Sequence, residues 1–207
     1  MELFILAIMW IVYFTIHSGM ISNPVTNYLK LKLDSKFRFY RLFYNFISIV
    51  LLIPILFYSR GLKNTPFFDW PGYLLIVKYA LVATSLLVFY LGAQRYSMMQ
   101  FLGFTQIRTQ RNHGLINKSG QLDTSGILGI IRHPFYAGVF PLIWASSLDI
   151  TNLITNIIIS IYVIVGTILE ERKLILEFGD VYRQYQKEVS MFIPLKWIIK
   201  RLKKKLQ

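Results

Sequence analysis

Side chains able to do chemistry occupy three short stretches of an otherwise apolar chain. The first is Thr124-Ser125-Gly126, followed by Arg132-His133-Pro134-Phe135-Tyr136 and Gly138. A Thr or Ser can cap a helix start. Proline frees a backbone carbonyl and glycine lets backbone approach a ligand closely. The same residues also describe a plain capped, proline-kinked helix start, with His133 on a carbonyl. The second stretch is Glu170-Glu171. Adjacent helical residues point about 100° apart, so one acid can face a helix bundle while the other faces water. A carboxylate turned into a polar pocket suits a cationic ligand; turned outward, it is a solvated helix end. The third stretch is Phe178-Gly179-Asp180-Val181-Tyr182-Arg183-Gln184-Tyr185, with Met191 to Pro194 beyond it. Alone it reads as an amphipathic cytoplasmic helix. His17, Arg41, Tyr44 and Asn45 add polar groups near the ends of apolar segments.

The elements that must position these residues follow from composition. The chain has 207 residues, 55% hydrophobic, 16% aromatic and only 16% charged, with a mean hydropathy of +0.48. A soluble domain carries about one quarter charged residues, so that class is excluded, as are disordered and fibrous chains. With no cysteine there is no disulfide framework, thiolate metal site or cysteine nucleophile. Three histidines without helical i, i+3 or i, i+4 spacing make no histidine-rich metal site. No nucleic-acid motif accompanies the net charge of +13.

Five stretches read as membrane spans of roughly 20 residues: about Leu3–Ile21, Leu42–Tyr58, Tyr73–Leu91, Ala137–Ser147 with its preceding turns, and Leu153–Leu169. The fourth is broken by Pro134 and Pro141 and reads as lining a cavity. The 23 Lys and Arg fall 5, 2, 5, 0 and 10 in the successive regions between and after these spans, with Lys78 inside the third. Positive loops stay in the cytoplasm. The expected fold class is therefore an all-α integral membrane protein of five transmembrane helices, N-terminus outside, C-terminus cytoplasmic. Residues 1–93 form a three-helix membrane part, 94–194 a functional part with two spans, and 195–207 a basic amphipathic tail on the inner leaflet. Glu170–Val189 reads as a cytoplasmic extension of the last span.

Taken together, the spacing Gly126-x5-Arg132-His133-Pro134-x-Tyr136-x-Gly138, then a span, then Glu170-Glu171, then Phe178-Gly179-x2-Tyr182-x2-Tyr185 and Pro194 resembles the isoprenylcysteine carboxyl methyltransferase superfamily. His17-Ser18, Tyr40-Arg41-Leu42-Phe43-Tyr44-Asn45 and Phe101 to Gln106 are similar to its methanethiol S-methyltransferase and NnrU-like branch. Two departures separate the chain from the isoprenylcysteine branch. Leu128 stands where that branch has a tyrosine, and Gly166 where it has a substrate-binding arginine.

The resemblance implies an integral membrane enzyme that uses S-adenosylmethionine. It places the cofactor against Gln106, Gln121, Leu122, His133, Pro134, Tyr136 and Glu170 or Glu171, on the cytoplasmic side. The expected acceptor is a small or lipophilic thiol, with His17, Arg41 and Arg132 as the groups that help ionise or hold it. The alternatives are a carboxyl methyltransferase acting on prenylated cysteine and a non-catalytic membrane scaffold of the same fold. Membrane lipid is the other expected partner, nucleic acid is not one, and the expected location is a prokaryotic inner membrane.

Overall fold

A computed structural model describes residues 1–62, 64–96, 99, 102–109 and 122–205. The fold is all-helical. The helices are α1 (Glu2–Met20), α2 (Asn23–Leu33), α3 (Tyr40–Gly61), α4 (Leu74–Ala93), α5 (Phe104–Thr109), α6 (Pro134–Trp144), α7 (Ile150–Phe178), α8 (Asp180–Glu188) and α9 (Leu195–Lys205). Turns of 3-10 helix cover Asp34–Phe39 and Gly126–Gly129. Among the described residues four helical stretches are long and apolar enough to cross a membrane: Glu2–Met20, Asn23–Gly61, Leu74–Ala93 and Ile150–Phe178. The fourth expected span differs. Its helix α6 has 11 residues, about 16 Å at 1.5 Å per residue, short of a hydrocarbon core about 30 Å thick. Pro134 starts it and Pro141 lies inside it.

The chain forms two compact units. One comprises residues 1–69, 97–112 and 147–162. Here α1 packs on α3 around Leu6, Trp10 and Ile55, with Ile158 and Ile159 of α7 completing the core. Phe14 stacks on Tyr162 at 3.7 Å between ring centroids. Apolar helix surface outside this core remains uncovered, as at Phe46, Phe57 and Ile11, which in a membrane faces lipid. The loop after α3 pairs with the loop before α7: the Phe67 and Phe68 N–H groups both donate to the Leu148 carbonyl, at 2.9 and 3.2 Å.

The other unit comprises residues 70–96, 113–146 and 163–207. In it α6 runs antiparallel along α4. Gly92 meets Pro134, and further back along α4 both Phe89 and Ser85 meet Gly138. The Ser85 hydroxyl, fully buried, donates to the Gly138 carbonyl at 2.7 Å. At one end of α4 the Arg95 guanidinium donates to the Ser125 hydroxyl. At the other end the Trp70 indole N–H donates to the Ser146 carbonyl. The segment from Ser125 to Ser146 therefore runs the length of α4, although only part of it is helical.

A Cβ at Gly138 would lie 2.7 Å from a ring carbon of Phe89. Gly138→Ala is accordingly expected to destabilise the protein by about 1–3 kcal/mol through overpacking. Thermal melts in detergent check this, and Phe89→Leu in the same background should restore part of the loss.

After α7 the expected extension is present but divided. Gly179, at φ +57°, turns the chain between α7 and α8, a conformation glycine adopts without a Cβ penalty. Helix α8 then buries Tyr182 and Tyr185 against Leu174 and Val189 and leaves Arg183, Gln184, Lys187 and Glu188 exposed.

Candidate active site

The start of α6 is built for proline: the first helical position needs no N–H, and the proline φ matches the helix. The two residues ahead of it are held by backbone pairing with the far end of the chain. Arg132 N–H donates to the Ser190 carbonyl at 2.9 Å, and His133 N–H to the Met191 carbonyl at 3.2 Å. This short parallel pairing brings residues 58 apart in sequence side by side and fixes where both side chains leave the backbone.

Both then meet α7. The Arg132 Nε–H donates to Glu171 Oε1 at 2.7 Å, and its Nη1 donates to the carbonyls of Gln186 and Val189. His133 Nε2 lies 3.1 Å from the same Oε1. Tyr182 donates its hydroxyl to Oε1 at 3.4 Å, and Gln186 its amide to Oε2 at 2.7 Å. Arg132, His133 and Glu171 are all more than nine-tenths buried. A buried ion pair is stable only when further hydrogen bonds satisfy both ions, and here they do. Glu171 is saturated and Arg132 is spent on holding it and the 186–189 backbone.

Glu170 is different. Its side chain is 37% exposed and its Oε2 stands 3.9 Å from His133 Nδ1, too far for a hydrogen bond. That oxygen is buried without a hydrogen-bond partner among the described residues. A carboxylate oxygen left in this state suits a ligand bringing N–H or O–H donors or positive charge.

Aromatic rings wall this corner. Tyr136 stacks on the His133 ring at 5.7 Å, and Phe192 meets its edge at 6.4 Å. Burial first, then the carboxylate charges of Glu170 and Asp123, pushes the Tyr96 hydroxyl well above its ordinary range. Burial likewise raises Tyr182 and Tyr185, with Glu171 adding to both and Arg132 opposing. All three phenols therefore stay protonated; that of Tyr182 donates to Glu171, and that of Tyr185 to the Leu128 carbonyl at 2.6 Å. Nearby, Asp123 accepts from both the backbone N–H and the hydroxyl of Ser125.

The sequence-derived candidates divide accordingly. Arg132, His133, Pro134, Tyr136, Glu170 and Glu171 lie together, and Leu122 packs beside Tyr182 and Tyr185. Gln121 lies outside the described residues. Gln106 is on α5, and His17 and Arg41 are on α1 and α3, all in the other compact unit. There His17 is hydrogen-bonded to the Tyr44 hydroxyl at 2.7 Å and the Ser48 hydroxyl at 3.0 Å, and the Arg41 guanidinium lies 5.6 Å from the Tyr44 ring centroid. Sequence reasoning did not single out Gln186, Tyr96 or Asp123. Gln186 carries a readable signal, since it follows Tyr182 by four residues and so shares its helix face. Among the described residues no group of three His, Asp or Glu could hold a metal ion.

A family model described as NnrU protein matches residues 4–191. Over 76 residues the chain is 38% identical to a methanethiol S-methyltransferase of Pseudomonas deceptionensis, covering 36% of this chain and 29% of that protein. It is 46% identical over 65 residues to methanethiol S-methyltransferase 1 of Bradyrhizobium diazoefficiens, covering 31% and 23%. Over 85 residues it is 36% identical to the protein-S-isoprenylcysteine O-methyltransferase of Schizosaccharomyces pombe, covering 38% and 35%. The chain thus spans only about a quarter to a third of the length of these relatives. No solved structure matches it significantly.

Proposed function

The chain belongs to the NnrU protein family, and on that premise we propose that it is a membrane methyltransferase that transfers a methyl group from S-adenosylmethionine to a small or lipophilic thiol. The observation that carries the proposal is the acid pair at the inner end of α7. Glu171 is saturated by Arg132, His133, Tyr182 and Gln186, while Glu170 keeps a buried oxygen beside His133 with no hydrogen bond among the described residues.

These residues fit the cofactor. It is cationic at sulfur and rich in N–H and O–H donors, so it matches the Glu170 carboxylate beside His133. Tyr136 and Phe192 offer flat apolar walls, and Tyr96 a protonated hydroxyl. Pro134 and Leu122 shape the same corner, and Gln106 and Gln121 are assigned to the cofactor by the family resemblance alone. When bound, the cofactor supplies a methyl group already activated on a sulfonium. The protein orients the partners and sets the field. Arg132 acts as a positioning residue, holding Glu171 and the 186–189 backbone against His133.

A thiol with pKa near about 8.5 is only a few per cent ionised at neutral pH. We assign His17 to take its proton and Arg41 to stabilise the thiolate, on their chemistry alone. Gly166 puts no cation where a carboxylate acceptor would need one. The topology proposed is five crossings, N-terminus outside and C-terminus cytoplasmic, in a prokaryotic inner membrane. The broken Ser125-to-Ser146 segment acts as the fourth crossing. It is supported by the charge alternation and by that segment's course along α4. Residues 94–194 form the methyltransferase part.

The test is a paired acceptor assay on detergent-solubilised protein with S-adenosylmethionine. Methanethiol should be converted to dimethyl sulfide, detected in the headspace, while a farnesylcysteine acceptor stays unmodified. Methylation of farnesylcysteine alone would replace this reading with the carboxyl methyltransferase, and turnover of neither would contradict the thiol assignment.

A further inference from the structure

We propose that α9 is a docking surface for anionic lipid headgroups, and that this docking holds closed the backbone strand that fixes Arg132 and His133. The inference rests on α9 and its hydrogen bonds and does not depend on the methyltransferase reading. The helix presents Leu195, Ile198, Ile199 and Leu202 at i, i+3, i+4 and i+7, one continuous stripe. These residues are 57%, 40%, 52% and 57% exposed, a stripe left open among the described residues. Its other positions carry Lys196, Lys200, Arg201, Lys203, Lys204 and Lys205, and Glu188 is the last acid of the sequence. Arg201 folds over the Trp197 ring at 4.4 Å.

An apolar stripe flanked by cations with no acid among them matches an interface where acyl chains lie beneath negative headgroups. An acidic protein partner would match the charge but would not call for a bare aliphatic stripe. Among the described residues four helical stretches are long and apolar enough to cross a membrane, so such a surface is within reach of the protein itself.

The coupling is local and can be traced bond by bond. The Lys196 backbone N–H donates to the Ser190 hydroxyl at 3.0 Å, and its Nζ to the Gln186 carbonyl at 2.6 Å. Ser190 and Met191 are the residues whose carbonyls receive the Arg132 and His133 N–H groups. Gln186 also holds Glu171, and Phe192 touches the His133 ring. Whatever anchors α9 therefore restrains residues 186–192, which frame the acid–imidazole cluster.

The full chain has no native cysteine, so single cysteines can be placed at will. Ile199→Cys and Lys204→Cys, each carrying a nitroxide, are reconstituted in nanodiscs of phosphatidylcholine alone or with phosphatidylglycerol added. With the anionic lipid, the label at 199 should become accessible to oxygen and shielded from a polar nickel reagent, while the label at 204, on the opposite face of the helix, stays in water. Under the same change, hydrogen exchange of residues 128–136 and 186–196 should slow on the order of tenfold. The triple variant Lys200→Glu, Lys203→Glu, Lys204→Glu should show neither response. A label at 199 that stays in water in both lipids would overturn the docking. Docking without slower exchange in 128–136 would overturn the coupling. A nitroxide shift that appears only on adding an acidic protein would give the surface to that partner instead.

Discussion

Arg132→Met should destabilise the protein by about 3–5 kcal/mol, the usual cost of stranding one member of a buried ion pair. The change leaves the Glu171 carboxylate buried with only Gln186, Tyr182 and His133, and removes the guanidinium from the carbonyls of Gln186 and Val189. Denaturant titration in detergent checks it. Arg183→Met is the control, because its ion pair with Asp180 is solvent-exposed at both ends and is worth less than about 1 kcal/mol. Adding Glu171→Gln to Arg132→Met removes the stranded charge and should recover part of the loss. A double variant no more stable than the single one would mean that the carbonyl contacts, not the ion pair, dominate.

The second large effect separates the two neighbouring acids. Glu170→Gln removes charge from an oxygen that makes no hydrogen bond among the described residues, so stability should stay within about 0.5 kcal/mol of wild type. Binding of S-adenosylhomocysteine should nevertheless weaken by about 10–100-fold, since a charged acceptor contributes about 1.5–3 kcal/mol. Glu171→Gln should show the reverse emphasis, a clear loss of stability, because four donors converge on it. Adding His133→Ala to Glu170→Gln removes the neighbouring imidazole together with the Glu170 charge and should abolish measurable binding while helical content is retained. Thermal melts, circular dichroism and equilibrium dialysis read these outcomes together.

The long apolar runs were legible because a lipid-facing helix needs only length and hydrophobicity. The expected spans Leu3–Ile21, Leu42–Tyr58, Tyr73–Leu91 and Leu153–Leu169 correspond to α1, α3, α4 and the central part of α7. Gly179 was visible as a residue; that it takes φ +57° and ends α7, with Tyr182 and Tyr185 of α8 packed beyond it, shows only in the fold. The broken fourth segment was legible from its prolines. That it nevertheless runs the length of α4 depends on Arg95–Ser125 and Trp70–Ser146 hydrogen bonds that no local pattern encodes.

In the site, residue types were readable and partners were not. The 100° offset between Glu170 and Glu171 implied two environments. Which acid is enclosed depends on Arg132 and Gln186, brought in by pairing between residues 131–133 and 190–191. Such non-local backbone pairing leaves little trace in sequence. For His17 and Arg41, helix-end position was readable, whereas the hydrogen bonds of His17 to Tyr44 and Ser48 required the packing of α1 on α3.

Ultraviolet crosslinking of methyl-tritiated S-adenosylmethionine to the wild-type protein, followed by peptide mapping, bears most directly on the acid–imidazole corner as the cofactor site. Label competed by S-adenosylhomocysteine should fall within residues 122–136 and 167–192 and drop sharply in Glu170→Gln. Competed label confined to other segments, or no competed label on folded protein, would contradict the assignment.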